Sequence, residues 1–366
     1  MNNILDTGIK VIKNVNSYEF GFNSILNINK IVNKKINDLD STNRVIVFID
    51  EYFKKSEILL LFDEYELIFV STKIEPTTDG VDLIMQKLKS FSKNKPAIII
   101  GLGGGITMDT AKACANLFNN KGPSEKFQGW DLVKNPAIYK IAIPTISGTG
   151  AEATRTCVLT NKSSGLKLGM NSDHTVYDYV IMDPNLLKTV PKNQFFYTGM
   201  DAYIHCMEAL EGFYRNPIGD SFSKQTISLC REVFNSDDMF SPKSREKMMV
   251  ASFLGGSSIA MSYVGIVHPF SAGLGVVLGI HHCEANCIVM NAMEEFYPKY
   301  FQEFHQLARK QGVSIKKGIA SSLSESDYDA LYDSTIIHEK PLFNALGSDF
   351  RKILTREKVK QIFKKM

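Results

Sequence analysis

Several things are scarce in this sequence. Its 366 residues include six cysteines, seven histidines and one tryptophan. Six cysteines over such a length are too sparse for a disulfide scaffold, so reduced thiols are expected. Charge of one sign is not in excess: 42 Lys and Arg face 39 Asp and Glu, a formal net charge of +3. That near-balance argues against partners recognised through a strong field, whether nucleic acid or an anionic membrane surface. No run approaches the ~20 apolar residues that a bilayer-spanning helix needs. The opening Met1-Asn2-Asn3-Ile4-Leu5-Asp6 lacks the basic-then-apolar layout of a signal peptide. A cytoplasmic location, where thiols stay reduced, is therefore expected. What is present is ordinary globular composition, 44% hydrophobic and 22% charged, enough for about two domains.

The first half alternates short β-type runs with helical segments. Strands are expected at Val45–Asp50, Glu66–Ser71, Ala97–Gly101, Lys140–Pro144 and Tyr179–Asp183, with a further one at Arg155–Thr160. Several are continuous apolar runs, as parallel strands buried on both faces require. Between them, Val81, Ile84, Leu88 and Phe91 recur at helical spacing within Asp79–Ser92. This alternation predicts an open, mostly parallel α/β sheet. Beyond Pro184 and Pro191 strand patterns nearly vanish, and helical periodicities run at 192–212, 217–235, 244–263, 284–296 and 299–311. The expected organisation is an α/β domain over 1–185 and an all-helical domain over 186–366, with an amphipathic helix docked at Arg351–Lys365.

Two glycine-rich turns stand at the ends of predicted strands. After AIIIG comes Gly103-Gly104-Gly105-Ile106-Thr107-Met108-Asp109, opening a helix. Glycines let a backbone approach a ligand closely, and the free N–H groups of a helix start favour phosphate. Strand, glycine loop and helix together suit a dinucleotide, although Met108 stands where the usual fingerprint has its third glycine. The second turn, Thr145-Ile146-Ser147-Gly148-Thr149-Gly150, follows Lys140–Pro144, where open α/β sheets bind ligands. Asp50 ends the first strong strand. An acid there accepts hydrogen bonds from an adenosine ribose and repels a 2′-phosphate, which favours NAD(H) over NADP(H).

The histidines carry the sharpest signal. Asp201 and His205 are four apart and share one helical face. His268 and His282 follow, fourteen apart, in apolar surroundings. One carboxylate and three imidazoles suit Fe²⁺ or Zn²⁺, and a shell completed by water or substrate is catalytic, not structural. His281 is an alternative ligand or reaches the substrate. A rival is a structural zinc that uses Cys283 and Cys287, but four-apart cysteines on a helix more often pack than chelate.

These segments together resemble the iron-containing (group III) alcohol dehydrogenases. The resemblance runs nearly end to end, through Phe20-Gly21, the Asp50 strand end, GGGITMDTAK at 103–112, PTISGTGAEAT at 144–154, Asp183-Pro184, TGMDAYIHCMEA at 198–209 and HHCEANCIV at 281–289. It implies the dehydroquinate synthase-like fold: a Rossmann-like N-terminal domain, a helical C-terminal domain and an active site between them. It implies Asp201, His205, His268 and His282 as ligands of one divalent metal, in preference to His281. It also implies Gly103, Gly104, Gly105, Asp109, Thr145, Ser147 and Thr149 as cofactor contacts, and a homodimer. Where many relatives have a histidine four residues after the third ligand, this chain has Ala272, so His281 or solvent must take the proton. Arg155 is expected either to hold an anionic substrate bidentately or to form a salt bridge with a neighbouring acid.

Within the family, FQGWDLVKNP at 127–136, VHPFSAGLGVVLGIHHCEANCIVM at 267–290 and PLFNALGSDFRKILTREKV at 341–359 are most similar to the 3-deoxy-D-manno-octulosonate (Kdo) 8-oxidase branch. That resemblance implies oxidation of the C8 hydroxyl of Kdo to an aldehyde, on the way to 8-amino-Kdo and lipopolysaccharide. The substrate would be an acidic sugar. The alternatives are a dehydrogenase of another small alcohol or aldehyde (lactaldehyde, a phosphonate aldehyde), a dehydroquinate-synthase-like lyase using NAD transiently, or a non-catalytic cofactor sensor.

Overall fold

The structure, a computed structural model, describes residues 5–9, 11–39 and 42–366. Residues 1–4, which open the segment read above for a signal peptide, lie outside them. The chain divides into two compact units. Of the described residues, the sheet unit comprises those of Lys13–Ile146 and Ala151–Lys188, and the helical unit Thr189–Met366, Ser147–Gly150 and those up to Ile12. A single cut at 185 therefore does not describe them. Strand β1 (Leu5–Asp6) joins the helical unit because it pairs in parallel with β11 (Tyr214–Arg215). The tetrapeptide Ser147–Gly150 joins it because the Gly148 N–H donates to Ser252 Oγ at 2.8 Å.

The sheet unit is built on six parallel strands: β2 (Ser17–Phe20), β3 (Val45–Asp50), β4 (Glu66–Val70), β5 (Ile98–Gly103), β7 (Tyr139–Pro144) and β10 (Tyr179–Met182), in the order β2-β10-β7-β5-β3-β4. Every residue of β3 and β5 is buried, the reason these strands read as unbroken apolar runs. Successive side chains serve opposite faces. Ile46, Phe48 and Ile99 enter one core with Val81, Met85 and Leu88 of helix α2 (Thr78–Phe91) and Ala111 and Cys114 of α3 (Gly105–Leu117). Val47, Ile49, Ile98 and Ile100 enter the other with Ile28 and Val32 of α1 (Ile28–Leu39). A small sheet, β6 (Gly129–Trp130), β9 (Leu166–Asn171) and β8 (Val158–Asn161), flanks them. The chain runs from β3 outward to β4, then returns to β5 on the other side of β3 and continues to β7. That reversal is a topological switch point, and Asp50 and Gly103 end the two strands that border it.

The helical unit is centred on α4 (Lys192–Glu211), whose residues from Phe195 to Ala209 are all buried. A helix buried on every side, even with Asp201, His205 and Glu208 on one face, sits inside its bundle. Around it lie α5 (Pro217–Asn235), α6 (Pro242–Ile259), α7 (Val267–Leu278), α8 (His282–Val289) and α9 (Pro298–Lys310). The periodicities located α4, α5, α6 and α9 closely but gave no helix at 267–278. Pro269 and two glycines mask α7, yet proline is tolerated in a first helical turn. Gly279, with φ of 67°, ends it in the left-handed conformation. Helices α10 (Glu325–Ile336) and α11 (Glu339–Leu346) follow. The single docked helix expected at 351–365 is two, α12 (Phe350–Ile353) and α13 (Arg356–Lys364), broken where Thr355 caps the second. Val359 and Phe363 are buried as the pattern requires, while Ile353 is exposed. Among the described residues, no helix is long and apolar enough to cross a membrane.

Candidate metal centre

Three helices of one unit bring the four predicted ligands together. Asp201 and His205 lie one turn apart on α4, His268 in the first turn of α7, and His282 opens α8. One ligand atom from each lies within 4.8 Å of the other three. Asp201 Oδ1 is 3.8 Å from His205 Nε2, 3.4 Å from His268 Nε2 and 3.7 Å from His282 Nε2. Ligands about 2.1 Å from a tetrahedral ion stand about 3.4 Å apart, so this set fits one divalent cation. All three imidazoles face inward by Nε2, and the rings of His205 and His268 stack at 4.4 Å.

The electrostatics follow from burial around the Asp201 and Glu208 carboxylates. Burial alone would raise Asp201, but the three histidines beside it, His205 foremost, hold its carboxyl well below the usual range. Burial takes His205 down to about 3, keeping it neutral. His268 is opposed by burial yet raised to about 9, because the carboxylates of Glu208 and Asp201 both favour its protonated form. A ligand set anionic at one corner and crowded with imidazole nitrogens is suited to a cation.

Glu208 escaped the sequence reading. It is fully buried, and its two oxygens take the His268 Nδ1 and, at 2.5 Å, the Val267 N–H. A carboxylate on the outer nitrogen of a ligating imidazole fixes the tautomer and turns Nε2 inward. The signal was present: Asp201, His205 and Glu208 stand at i, i+4 and i+7, one face of one helix. We expect Glu208→Gln to weaken divalent-metal affinity by roughly 10- to 100-fold, measured by competition with a chromophoric chelator. Asn286 also escaped it. Its Nδ2 donates to Asp201 Oδ1 at 2.6 Å, and its buried Oδ1 has no partner.

His281 is the residue before α8 and stands outside the four-atom cluster. Cys283 and Cys287 form no disulfide and stand outside that cluster as well. The Cys287 thiol turns to the Tyr197 carbonyl at 4.0 Å. Ala272, buried in α7, offers no side-chain group to a proton relay.

The remaining predicted residues divide between the units. In the sheet unit, Gly104 precedes α3 and supplies no side-chain cap. A Cβ on Gly103 would lie 2.6 Å from that of Thr107, so only glycine fits where strand meets helix. Gly105 is the first residue of α3. Thr145 is buried and donates its N–H to the Gly103 carbonyl at 3.1 Å. Asp50 accepts the Tyr52 N–H at 2.9 Å, and burial raises its carboxyl. Asp109 is turned into the scaffold: it accepts the Val158 N–H at 2.9 Å, and burial pushes it up to about 6. Arg155 is engaged too, bonded to Asp131 at 2.7 Å and Asp173 at 3.2 Å. In the helical unit, Ser147 is buried with an unpartnered hydroxyl, and Thr149 lies two residues on, in the same tetrapeptide.

Fold and side-chain geometry together describe a helical unit that carries a cluster of candidate metal ligands and a sheet unit with a switch point. Residues 17–184 match the model of the iron-containing alcohol dehydrogenases, and residues 195–335 that of the C-terminal region of the same family. The chain belongs to the iron-containing alcohol dehydrogenase family. Among curated relatives, the sulfoacetaldehyde reductase of Bilophila wadsworthia is 34% identical over 219 residues, 59% of this chain and 55% of that protein. The NAD-dependent methanol dehydrogenase of Bacillus methanolicus is 30% identical over 58% of this chain and 54% of its own. The chain thus matches about half the length of these relatives. Among solved structures, an alcohol dehydrogenase from Oenococcus oeni superposes with a TM-score of 0.81 at 21% identity, covering 96% of this chain and 98% of the other. A sulfoacetaldehyde reductase from Bifidobacterium kashiwanohense in complex with NAD⁺ gives 0.77 at 22% identity, with 96% of each chain covered. These likenesses fix the fold.

Proposed function

We propose that the chain is a metal-dependent oxidoreductase that interconverts a primary alcohol and its aldehyde with a nicotinamide cofactor. The convergence of Asp201, His205, His268 and His282 within 4.8 Å carries this reading. A bound Fe²⁺ or Zn²⁺ supplies Lewis-acid polarisation of the alcohol oxygen, and the nicotinamide supplies the hydride acceptor. The helical unit's four ligands hold the ion, and Glu208 fixes the His268 ring. On the sheet unit, the loop Gly103–Gly105 and the start of α3 offer N–H groups to a pyrophosphate. Asp50 retains acceptor capacity beyond its one backbone bond, which supports NAD(H) over NADP(H). Asp109 shapes this site from beneath, by anchoring Val158 to α3, while Thr145, Ser147 and Thr149 line the cofactor. With alanine at position 272, His281 or solvent takes the hydroxyl proton.

For the substrate we propose Kdo, oxidised at C8, on the strength of the segments 127–136, 267–290 and 341–359. A second reading follows from the 34% identity to a sulfoacetaldehyde reductase: a small aldehyde bearing a sulfonate. Both substrates pair a primary alcohol or aldehyde with a fixed anion. Arg155 is the cation proposed to meet that anion, in exchange for one of its present aspartates. Arg155→Ala is expected to raise KM for an acidic alcohol about tenfold, the worth of one charge-assisted hydrogen bond, and to spare a neutral one. Equal effects on both would assign Arg155 to the Asp131–Asp173 bridge alone. The enzyme is proposed to work as a cytoplasmic homodimer.

The deciding experiment uses purified protein of measured metal content, offered Kdo, isethionate and neutral primary alcohols, each with NAD⁺ and NADP⁺. The expected result is NADH formed in step with an aldehyde identified by mass. Product without net NADH would point to a lyase, and no turnover on any alcohol would overturn the reading.

A further inference from the structure

The Asp201 carboxylate is held from both sides by the helix that carries His282. Its Oδ1 faces the three Nε2 atoms at 3.4–3.8 Å and also receives Asn286 Nδ2 at 2.6 Å, the same amide nitrogen standing 3.3 Å from both His268 Nε2 and His282 Nε2. Its Oδ2, the oxygen without these histidine contacts, receives the Cys283 thiol at 3.5 Å. Cys283 and Asn286 stand one and four residues after His282 on α8, and both are buried. Asp201 itself is fully buried. A buried carboxylate with one oxygen unclaimed is free to rotate about its last bond or to offer both oxygens at once. Donors on the two oxygens remove that freedom, and a short helix bearing both donors and a ligand moves them as one piece.

We propose that Cys283 and Asn286 are positioning residues for the metal. They hold the Asp201 carboxylate so that Oδ1 alone is presented to the ion. This rests on the metal-binding reading above and adds to it a chemical role for a thiol that touches a ligand and is not one itself. Sulfur suits the task because an S–H donor is weak. It orients Oδ2 without competing with the ion for the charge on Asp201.

The test measures metal affinity with Co²⁺ and Zn²⁺, by chelator competition and by the Co²⁺ visible spectrum, with the melting temperature of metal-free protein as the control for folding. Cys283→Ala is expected to lower affinity by roughly tenfold, the lower end for a residue that orients a ligand. Cys283→Ser, which keeps a donor, should recover most of that loss. Asn286→Ala should lower affinity by a similar factor and alter the Co²⁺ spectrum. Wild-type affinity and spectrum in both alanine variants would overturn the proposal while leaving the metal centre standing. Failure of the wild-type protein to bind either ion would overturn the metal reading itself, and this inference with it. A Cys283→Ser variant no better than Cys283→Ala, at equal metal-free stability, would show that the thiol fills space and does not orient.

Discussion

His268→Ala is expected to leave purified protein nearly free of divalent metal and to lower kcat/KM on any alcohol by roughly 1,000-fold or more. An ion's Lewis-acid contribution is several kcal/mol, and each ~1.4 kcal/mol is a factor of ten. The substitution removes one inward-facing Nε2 and strands the Glu208 carboxylate, which loses its imidazole partner at full burial. A buried charge left without its partner costs about 3–5 kcal/mol, so stability should fall as well. Metal analysis by plasma mass spectrometry separates the two effects. Fully loaded, active His268→Ala and His282→Ala variants would sink the ligand assignment. His282 is the cleaner probe, because it lies at a helix start and is partly exposed.

The second large effect concerns folding. Gly150 has φ of +64°, and a Cβ there would lie 2.4 Å from the Gly256 Cα and 2.7 Å from its nitrogen. Both contacts are to the backbone of α6, which cannot step aside as a flexible side chain does. Gly150→Ala therefore combines a left-handed penalty of about 1–2 kcal/mol with overpacking of about 1–3 kcal/mol. We expect a loss of roughly 2–5 kcal/mol, read as a lower denaturation midpoint in urea. Gly165→Ala is the control: its φ is also positive, at +66°, but nothing lies within 4 Å of the added carbon. It should show only the conformational part. If the two variants fall equally, the close approach to α6 contributes nothing.

Much of this was legible from residue order, for reasons that differ by element. Strand β3 was placed at its observed bounds because a strand buried on both faces is an unbroken apolar run, here Val45 to Ile49, which Asp50 ends. Helix α4 was placed almost as well, since Pro191 and Gly212 punctuate it. The cluster of Asp201, His205, His268 and His282 was legible because metal chemistry restricts residue type and because the family resemblance singled out His282 over His281. Glu208 and Asn286 were not singled out. Their work is to hold other side chains, and a glutamate or asparagine on a helix has many commoner reasons to be there. Asp109 and Arg155 show the opposite difficulty. Both stand in motifs that point to ligands, yet the structure gives one a backbone N–H and the other two carboxylates. Hydrogen bonds between residues 49 apart (Asp109 to Val158) or 24 apart (Arg155 to Asp131) leave no mark on local periodicity. Helix α7 was hidden by its proline and glycines, and its existence is decided by packing.

The placement of Ser147–Gly150 with the helical unit bears on how the chain is made. Gly148 emerges from the ribosome 104 residues before the Ser252 that receives its N–H, and β1 precedes its partner β11 by an even longer interval. The sheet unit closes on itself by Lys188, so it can fold while synthesis continues. The helical unit cannot, because two of its pieces are already synthesised and wait, embedded in or preceding the other unit, for α6 and β11. Contacts so distant in sequence are slow to form. During that interval Gly148 and Gly150 lack the contacts with α6 that they make in the folded chain.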